Sequence, residues 1–514
     1  MRHLHACLPL LLCLACQGPD RSATPPSLGK RVSAGLASDV RVTADGRHGV
    51  FLANARKPAA PGVPPQMTLG ELHWVALDGS GAKRKLGEGV TNLPGGFLFT
   101  PDGQHVLFRE AFRVETQSGR LKVADVPGGE VRLLGESVTS MAVSRDSKRI
   151  AFVEGGVLKE GPLTGTAFRT IAGEVSNAEF SADGSWLVFR RTLVAGGALL
   201  ATRVDGKGAP VKLGEQVADY SISPASDVVA FTARSPASPE VNDLWHVPLA
   251  TLKPAALAMG TGTFAFSPDG QWLARTEGQR PEQLGDLFVG PARGGPGRKL
   301  GERVMGFGFS PQSDGIAYLE RYDLSQGLGI LGVAALPDGK PRRVGDRVPT
   351  YDWSPDGKYL AFQSRFLKPV VSLDLMIFPP GAEKAEKVAT GVFGYAFSPS
   401  GGSLLLRTKC VREGRACDLN RLELAKLGQP SEKLVEGVFN FRVGAGEERV
   451  LFTHARTDAD TFDVSIQNFK TRARTVLDKG VQLPVFLTGT EADRVVYAIA
   501  QGPRAGLYVA EKLP

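Results

Sequence analysis

The sequence predicts an all-β fold, a β-propeller built from about eleven four-stranded blade modules. A turn of the type Ser/Thr-Pro-Asp-Gly recurs along the chain, mostly at intervals of 42 to 46 residues. A four-stranded propeller blade takes about 40–45 residues, so one interval fits one blade. The 62 Gly and 35 Pro among 514 residues are spread along the chain, as many tight turns between short strands require.

The turn motif is clearest in FTPDGQHVLF, FSADGSWLVF, FSPDGQWLAR and WSPDGKYLAF, which begin at Phe99, Phe180, Phe266 and Trp353. Its hydroxyl residue can bond the turn backbone, Pro presets φ, and Gly supplies a positive φ. The motif therefore predicts a hairpin between two strands, here called a and b. Each Asp stands alone in its turn, which favours a structural role over a calcium site.

A second motif completes the module. Segments such as RKLGEGV, RLLGESV and VKLGEQV begin at Arg84, Arg132 and Val211, and strands such as LHWVAL, from Leu72, precede them. Each module thus contains strand a, the turn, strand b, a variable loop, strand c, a short turn and strand d. The segment GKRVSAG from Gly29 matches strand d, whereas the chain ends on strand c. We therefore expect the N-terminal strand to complete the last blade.

The repeated FSPDG motif and the final GLYVAEKLP, from Gly506, resemble the WD-like β-propeller repeat of the TolB type. The resemblance covers roughly residues 29–514 and implies the fold. TolB proteins also carry an α/β domain before the propeller, for which this sequence has no room, so the resemblance does not imply a TolB role. Such propellers host many functions.

The number of modules bears on domain organisation. Natural propellers typically have 4 to 8 blades. Eleven modules therefore favour two packed propellers, with about five blades in residues 29–260 and about six in 261–514. The alternative is a single ring with unusually many blades.

The N-terminus predicts export. The apolar run ACLPLLLCLA ends at Ala15, and it is too short for a stable membrane anchor but suits a signal peptide over residues 1–15. The ending LCLAC resembles the lipobox of bacterial lipoproteins, which implies lipidation of Cys16. Cys13 stands where Leu is usual, which leaves ordinary secretory cleavage as the alternative.

Residues 16–28 are polar and Pro-rich and are predicted to form a tether. By resemblance to enteric lipoproteins, Asp after the lipidated cysteine would indicate the inner membrane. The sequence has Gln17 there, so we expect the outer membrane or the periplasm, with the membrane contacted only through the lipid.

Two cysteines remain in the body of the chain. Cys410 and Cys417 lie in a loop-like segment with six residues between them. In an oxidising compartment this arrangement favours one local disulfide. No His or Cys partner is near them in sequence, so no metal site and no cofactor is predicted.

The search for catalytic motifs predicts no catalytic residues. The sequence contains no GxSxG, no HExxH and no P-loop. Its formal charge of +8 is small for the length, and no block of five or six basic residues occurs, so nucleic acid is not expected as a partner.

Function is expected on the b–c loops, which vary in length and character whereas the a–b turns are uniform. Arg also follows strand b repeatedly, either to cap strand-end carbonyls or to form a basic rim. The candidate binding residues are Arg56, Lys57, Arg234, Arg365, Lys368, Arg412, Arg415, Arg456, Asp458 and Asp460.

The sequence thus predicts a non-enzymatic, exported, lipid-anchored scaffold that binds a protein or glycan of the bacterial cell envelope. The alternative is a propeller enzyme of the lyase or lactonase type, with an active site in the axial funnel. Ligands contributed by several blades would escape a linear search of the sequence.

Overall fold

The protein was analysed as a computed structural model, which describes residues 28–192, 197–279, 284–367, 372–411, 416–457, 460–488, 494–499, 502–511 and 513. The strands begin with β1 Lys30–Ala34, β2 Ala37–Val42, β3 His48–Arg56, β4 Leu69–Ala76, β5 Lys83–Thr91, β6 Phe97–Phe99, β7 His105–Arg113, β8 Ser118–Asp125, β9 Val131–Val143, β10 Arg149–Glu154, β11 Val157–Pro162 and β12 Arg169–Ala172. They continue with β13 Val175–Phe180, β14 Trp186–Arg191, β15 Ala198–Arg203, β16 Val211–Gly214, β17 Val217–Ile222, β18 Val228–Arg234, β19 Asn242–Pro248, β20 Ala255–Ala258, β21 Phe264–Phe266, β22 Trp272–Glu277, β23 Asp286–Pro291, β24 Arg298–Gly301, β25 Gly306–Phe309, β26 Gly315–Asp323, β27 Leu328–Ala335 and β28 Arg342–Val348. The last are β29 Tyr351–Trp353, β30 Leu360–Leu367, β31 Ser372–Phe378, β32 Glu386–Phe397, β33 Ser403–Val411, β34 Ala416–Glu423, β35 Glu432–Val438, β36 Asn440–Val443, β37 Arg449–His454, β38 Phe462–Asn468, β39 Arg474–Thr488, β40 Arg494–Ile499 and β41 Gly506–Ala510, with a short 3-10 helix at Leu424–Lys426.

These strands form propeller blades, which confirms the predicted all-β fold. Five sheets have four antiparallel strands each. Three sheets have seven strands, because β9, β32 and β39 each serve as strand d of one blade and strand a of the next. The described strands therefore form eleven blades, numbered here 1 to 11 from β2. Strand a of each blade borders the axis of the ring, as the inner strand of a propeller blade does.

The final blade contains both ends of the described chain. The C-terminal part of β39, then β40 and β41, supply its strands a, b and c, and β1 pairs antiparallel with β41, with Lys30 opposite Val509. This pairing confirms that the N-terminal strand completes the last blade, and it covers what would otherwise be an open strand edge.

The second sequence motif explains how adjacent blades approach each other. Gly87 in strand d of blade 1 lies against the ring of Phe108 in strand b of blade 2, and a Cβ atom added to Gly87 would be 2.6 Å from that ring. Gly214 stands in the same relation to Phe231, where the added Cβ would be 2.5 Å away. The glycine of the LGE segment is therefore needed because only a hydrogen atom fits beneath the aromatic ring.

The hydrophobic core is divided among the interfaces between blades. One cluster of buried side chains lies between each pair of consecutive blades among the described residues. A further cluster, which includes Val32, Val75 and Val496, joins blade 11 to blade 1. The interfaces thus follow one another around the molecule and return to the first blade.

This order of contacts bears on the expected division of the chain into residues 29–260 and 261–514. The boundary after residue 260 coincides with an ordinary interface between blades 5 and 6, in which Ala258 and Leu273 pack together. Two separate rings would instead need blade 5 to pack against blade 1 and blade 11 against blade 6. The described contacts therefore run in the order that the single-ring alternative expects.

Candidate binding face and channel mouth

The a–b turns and the short c–d turns lie on one side of the ring, called here the turn face. Six of these a–b turns share one contact, in which a Ser or Thr hydroxyl donates to the Asp two residues later at 2.6 Å. The pairs are Thr43–Asp45, Thr100–Asp102, Ser144–Asp146, Ser181–Asp183, Ser267–Asp269 and Ser354–Asp356. The same hydroxyl accepts a backbone N–H from the start of strand b, as at Trp272 in blade 6. Each Asp is thus engaged within its own turn, as the structural interpretation of the motif expects.

Hydrogen bonds also join neighbouring turns across the turn face. The backbone N–H of Asp102 donates to the Ser147 hydroxyl of the next blade at 3.0 Å, and Asp269 bonds Ser313 in the same way. Ser147 and Ser313 have positive φ angles of 60° and 62°. They stand where other turns have Gly, so their side chains supply a link that Gly could not.

These contacts keep the turn carboxylates ionised. The hydroxyl of Ser144 lowers the pKa of Asp146, with help from the backbone N–H of Lys148. At Asp183 burial opposes ionisation, but hydrogen bonds from Ser181 and Ser185 outweigh it, and the pKa of this carboxyl is also lowered. The turn face is therefore held by charge-assisted hydrogen bonds.

The opposite side carries the b–c loops and the d–a connections and is called here the loop face. Its b–c loops range from residues 155–156 in blade 3 to residues 57–68 in blade 1. The longest of these is anchored where it re-enters the blade, because Met67 is fully buried and the N–H of Thr68 donates to Asn92. Long loops here are therefore presented from fixed ends.

The predicted binding residues are spread around this face. Arg56 and Lys57 are exposed in blade 1, Arg234 is exposed in blade 5, and Arg456 pairs with Asp460 at 2.7 Å in blade 10. Arg365 lies on β30, but its side chain is outside the described part of the structure. The described residues do not include Lys368, Arg412, Arg415 and Asp458. The described members do not meet in one site.

The arginines that follow strand b mostly serve the scaffold. Buried Arg109 donates to the backbone carbonyls of Gly95, Gln117 and Thr139 at 2.8–3.0 Å. Arg190 donates to the carbonyl of Ala218 in the next blade, and Arg234 donates to that of Pro239. These are the carbonyl caps of the structural interpretation, so recurrence of Arg does not by itself define a basic rim.

Cys410 and Cys417 are joined by a disulfide. It connects the end of β33 to the start of β34 and therefore closes the base of the b–c loop of blade 9. The disulfide fixes the two ends of this loop without contributing to the ring interior.

Apolar side chains also reach the solvent on the loop face, a feature that the sequence analysis missed. Met259, Met305 and Leu324 are 75%, 49% and 63% exposed. They lie in the d–a connections after blades 5 and 6 and in the b–c loop of blade 7. Met259 occupies the position held by Glu88 and Glu215 in other LGE segments, so a sequence comparison between modules could have revealed it.

Two cavities lie in the channel wall near the loop face. The first, of ≈ 290 Å³, is lined by Asn440, Arg442 and Phe452 of blade 10 and by Leu483 and Pro484 of blade 11. The second, of ≈ 430 Å³, lies on the other side of Leu483 and Pro484, and Asp39, Arg41 and Gln482 line it. Sequence reasoning missed these residues because they come from different blades, and in the second cavity from opposite ends of the chain.

The described residues contain no cluster of three or more His, Cys, Asp or Glu side chains suited to a metal ion. Within the same part of the chain, no helix is long and apolar enough to cross a membrane.

No protein-family model matches the chain, and no curated protein matches its sequence. Among solved structures it is similar to a eukaryotic initiation factor, with 13% identity, 67% of this chain and 89% of that chain covered, and a TM-score of 0.42. It is also similar to tricorn protease, with 12% identity, 93% of this chain and 61% of that chain covered, and a TM-score of 0.29. A third similar structure is the β-propeller domain of the Trilobed protease from Pyrococcus furiosus, with 13% identity, 59% of this chain and 97% of that chain covered, and a TM-score of 0.29. The chain thus spans 61% of the tricorn protease chain.

At such identities these similarities concern the fold alone. The propeller architecture itself is visible in the strand order and blade contacts described above. The TolB-type resemblance and the signal peptide stay predictions.

Proposed function

We propose that the protein is a non-enzymatic β-propeller scaffold of the bacterial cell envelope, lipid-anchored at Cys16, whose loop face binds a protein or glycan. The observation that carries the proposal is the contrast between the two faces. The turn face repeats one hydrogen-bonded arrangement from blade to blade, whereas the loop face presents loops of different length from anchored ends. Variable loops on a rigid scaffold are a common basis of recognition.

Charge on the loop face supports a partly electrostatic contact. Exposed Arg56 and Lys57 lie beside the longest loop, and the Arg456–Asp460 pair adds both signs in blade 10. Rim charges of this kind govern association rate and are screened by salt. Partner binding is therefore expected to weaken as ionic strength rises.

The test is a pull-down from envelope extracts with loop variants of the full chain. One variant shortens the blade 1 loop within residues 58–65 and keeps the buried Met67; another shortens residues 412–415 and keeps the disulfide. Both should lose partner capture while the melting temperature holds. Matched turn variants, Asp102→Ala, Asp269→Ala and Asp356→Ala, should lower the melting temperature without a specific loss of capture.

The opposite pattern would reject the binding proposal. Turnover of a candidate lyase or lactonase substrate that disappears with the loops would instead support the enzyme alternative.

Anchoring is tested separately by mass spectrometry of the mature N-terminus. We expect a lipidated Cys16, and Cys16→Ser should abolish membrane association while leaving the propeller folded. A mature chain that begins elsewhere and carries no lipid would contradict the anchor but would leave the loop-face proposal standing.

A further inference from the structure

The channel wall departs most from its repeating pattern in strand a of blade 11, while strand a of blade 1 has a smaller irregularity between Ser38 and Arg41. In blade 4 a single residue is inserted near the start of strand a, between the pairs Val175–Arg191 and Asn177–Arg190. In blade 11 the pair Gln482–Ala498 is followed only by Phe486–Val496, so three residues stand opposite one. This larger β-bulge exposes Leu483 (43%) and Pro484 to the channel. Bulges of this kind often lie beside functional sites.

The bulge separates the two cavities of ≈ 290 and ≈ 430 Å³. Strand a runs from the loop face toward the turn face, and Asn440 and Gln482 stand at its beginning in blades 10 and 11. Both cavities therefore open near the end of the channel that faces the loops. We call this region, formed by blades 10, 11 and 1, the channel mouth.

The polar groups at the channel mouth are free to meet a ligand. Arg442 is exposed and makes no hydrogen bond or ion pair with a described residue, and the side-chain amide of Asn440 is equally unengaged there. Asp39 accepts hydrogen bonds from Ser38 at 2.8 Å and from the side-chain amide of Asn92 at 3.5 Å, and it retains further acceptor capacity. Arg41, in contrast, is held by the carbonyl and the ring of Phe97, so Arg442 is the cation suited to an anionic group.

The bulge also limits what can bind. An extended peptide would add to strand a through backbone hydrogen bonds. Pro484 has no N–H to donate, and the bulge breaks the regular edge, two devices that block strand addition. What the channel mouth offers instead is an apolar surface of Leu483 and Pro484, ringed by amide, carboxylate and guanidinium groups. This combination suits the apolar face, the hydroxyls and a carboxylate of a sugar ring.

We propose that the channel mouth binds an acidic saccharide, with its carboxylate on Arg442 and its ring against Leu483 and Pro484. This inference rests on the proposed function, since it names a ligand class for the same face of the protein. Asn440, Gln482 and Asp39 would contact the hydroxyl groups.

The test measures binding of glucuronate and its oligosaccharides to the full chain by calorimetry, at concentrations up to about 10 mM. Glucose oligosaccharides of the same length report the contribution of the carboxylate, and an acidic hexapeptide tests the peptide alternative. Arg442→Gln should weaken acidic saccharide binding at least about tenfold, because a charge-assisted hydrogen bond is lost. Asn440→Ala should weaken acidic and neutral saccharides alike.

Arg303→Gln is the matched control, because Arg303 is an exposed arginine of the loop face whose side chain has no described partner and which lies between blades 6 and 7. It should leave saccharide binding unchanged. The inference is overturned if no saccharide binds, if Arg442→Gln binds like the unaltered protein, or if the peptide binds and responds to Arg442→Gln instead. If loop shortening abolished partner capture while saccharide binding persisted, the two proposals would concern separate sites. The same would follow if saccharide binding were lost while partner capture persisted.

Discussion

The turn face and the loop face are built from the same eleven blades but are held in different ways. On the turn face a buried hydroxyl, an aspartate and a backbone N–H recur with nearly constant distances, and neighbouring turns are bonded to each other. On the loop face each loop is held in its own way, for example by a buried side chain in blade 1 and by a disulfide in blade 9. Stability is therefore expected to depend on the turn face, and the loop face can change with less effect on folding.

The largest effect on this comparison should come from removing one turn contact. Ser267 is fully buried, and it donates to Asp269 and accepts from the N–H of Trp272. In Ser267→Ala combined with Asp269→Ala this N–H and that of Gln271 lose their partners, so we expect a loss of about 2–4 kcal/mol, since an unsatisfied buried group costs about 1–3 kcal/mol. The midpoint of urea unfolding measures it.

Asp338→Ala is the control for this change. Asp338 lies in a c–d turn of the same face, is exposed and makes no described hydrogen bond. Its replacement should alter stability by less than about 0.5 kcal/mol. Equal losses in the two variants would show that the shared turn contact is not what stabilises this face.

The disulfide should have the next largest effect, and it tests whether the loop face contributes to stability. Cys410→Ser with Cys417→Ser opens a short loop, for which chain entropy gives about 2–3 kcal/mol. The loss should be confined to blade 9, where hydrogen exchange of β33 and β34 should rise. The double variant should no longer respond to reductant, and exchange that rises around the whole ring would contradict a local role.

Acid should weaken the turn face. The pKa values of Asp146 and Asp183 are lowered in the folded protein. A carboxyl with a lowered pKa adds stability above its unfolded pKa of about 4, and this stability is lost as pH falls through the folded value. The melting temperature should therefore fall below about pH 4, and Asp146→Asn should make the fall shallower. If the melting temperature of Asp146→Asn fell with pH as steeply as that of the unaltered protein, these turns would not be the cause of the acid sensitivity.

Shortening the blade 1 loop within residues 58–65 should have the smallest effect on stability. These residues make no contribution to the buried core, and loop closure changes slowly with length, so a change of less than about 1 kcal/mol is expected. Thermal unfolding compares this variant with a second deletion that also removes Met67. Only the second deletion should open a cavity and lower the melting temperature clearly.

The repeat was readable from the sequence because each blade solves the same local problem. Gly103 and Gly184 supply positive φ angles of 70° in their turns, and the Gly of the turn motif indicates this requirement directly. The close approach of Gly214 to Phe231 was not readable, because the two residues belong to different motifs of successive modules. The sequence also left open whether the blades form one ring or two, since the angle between blades depends on many small packing differences and not on a motif.

The candidate site shows the same limit more strongly. Asp39 and Leu483 are 444 positions apart in sequence, yet they line one cavity because β1 closes the ring. The unusual LPV segment in strand a of blade 11 was visible, but its bulge became meaningful only beside blades 10 and 1. Linear reading located the loops, which are local, and missed the channel mouth, which is built from strands of three blades.

The pairing of β1 with β41 has a consequence for the order in which the chain is made. The strand that closes the ring is synthesised first, and its partner, Gly506–Ala510, is synthesised last. During translation at about 5–20 residues per second, β1 therefore waits roughly half a minute or more without its partner. Whichever blades assemble first, the edge of blade 11 can be covered only after synthesis is nearly complete.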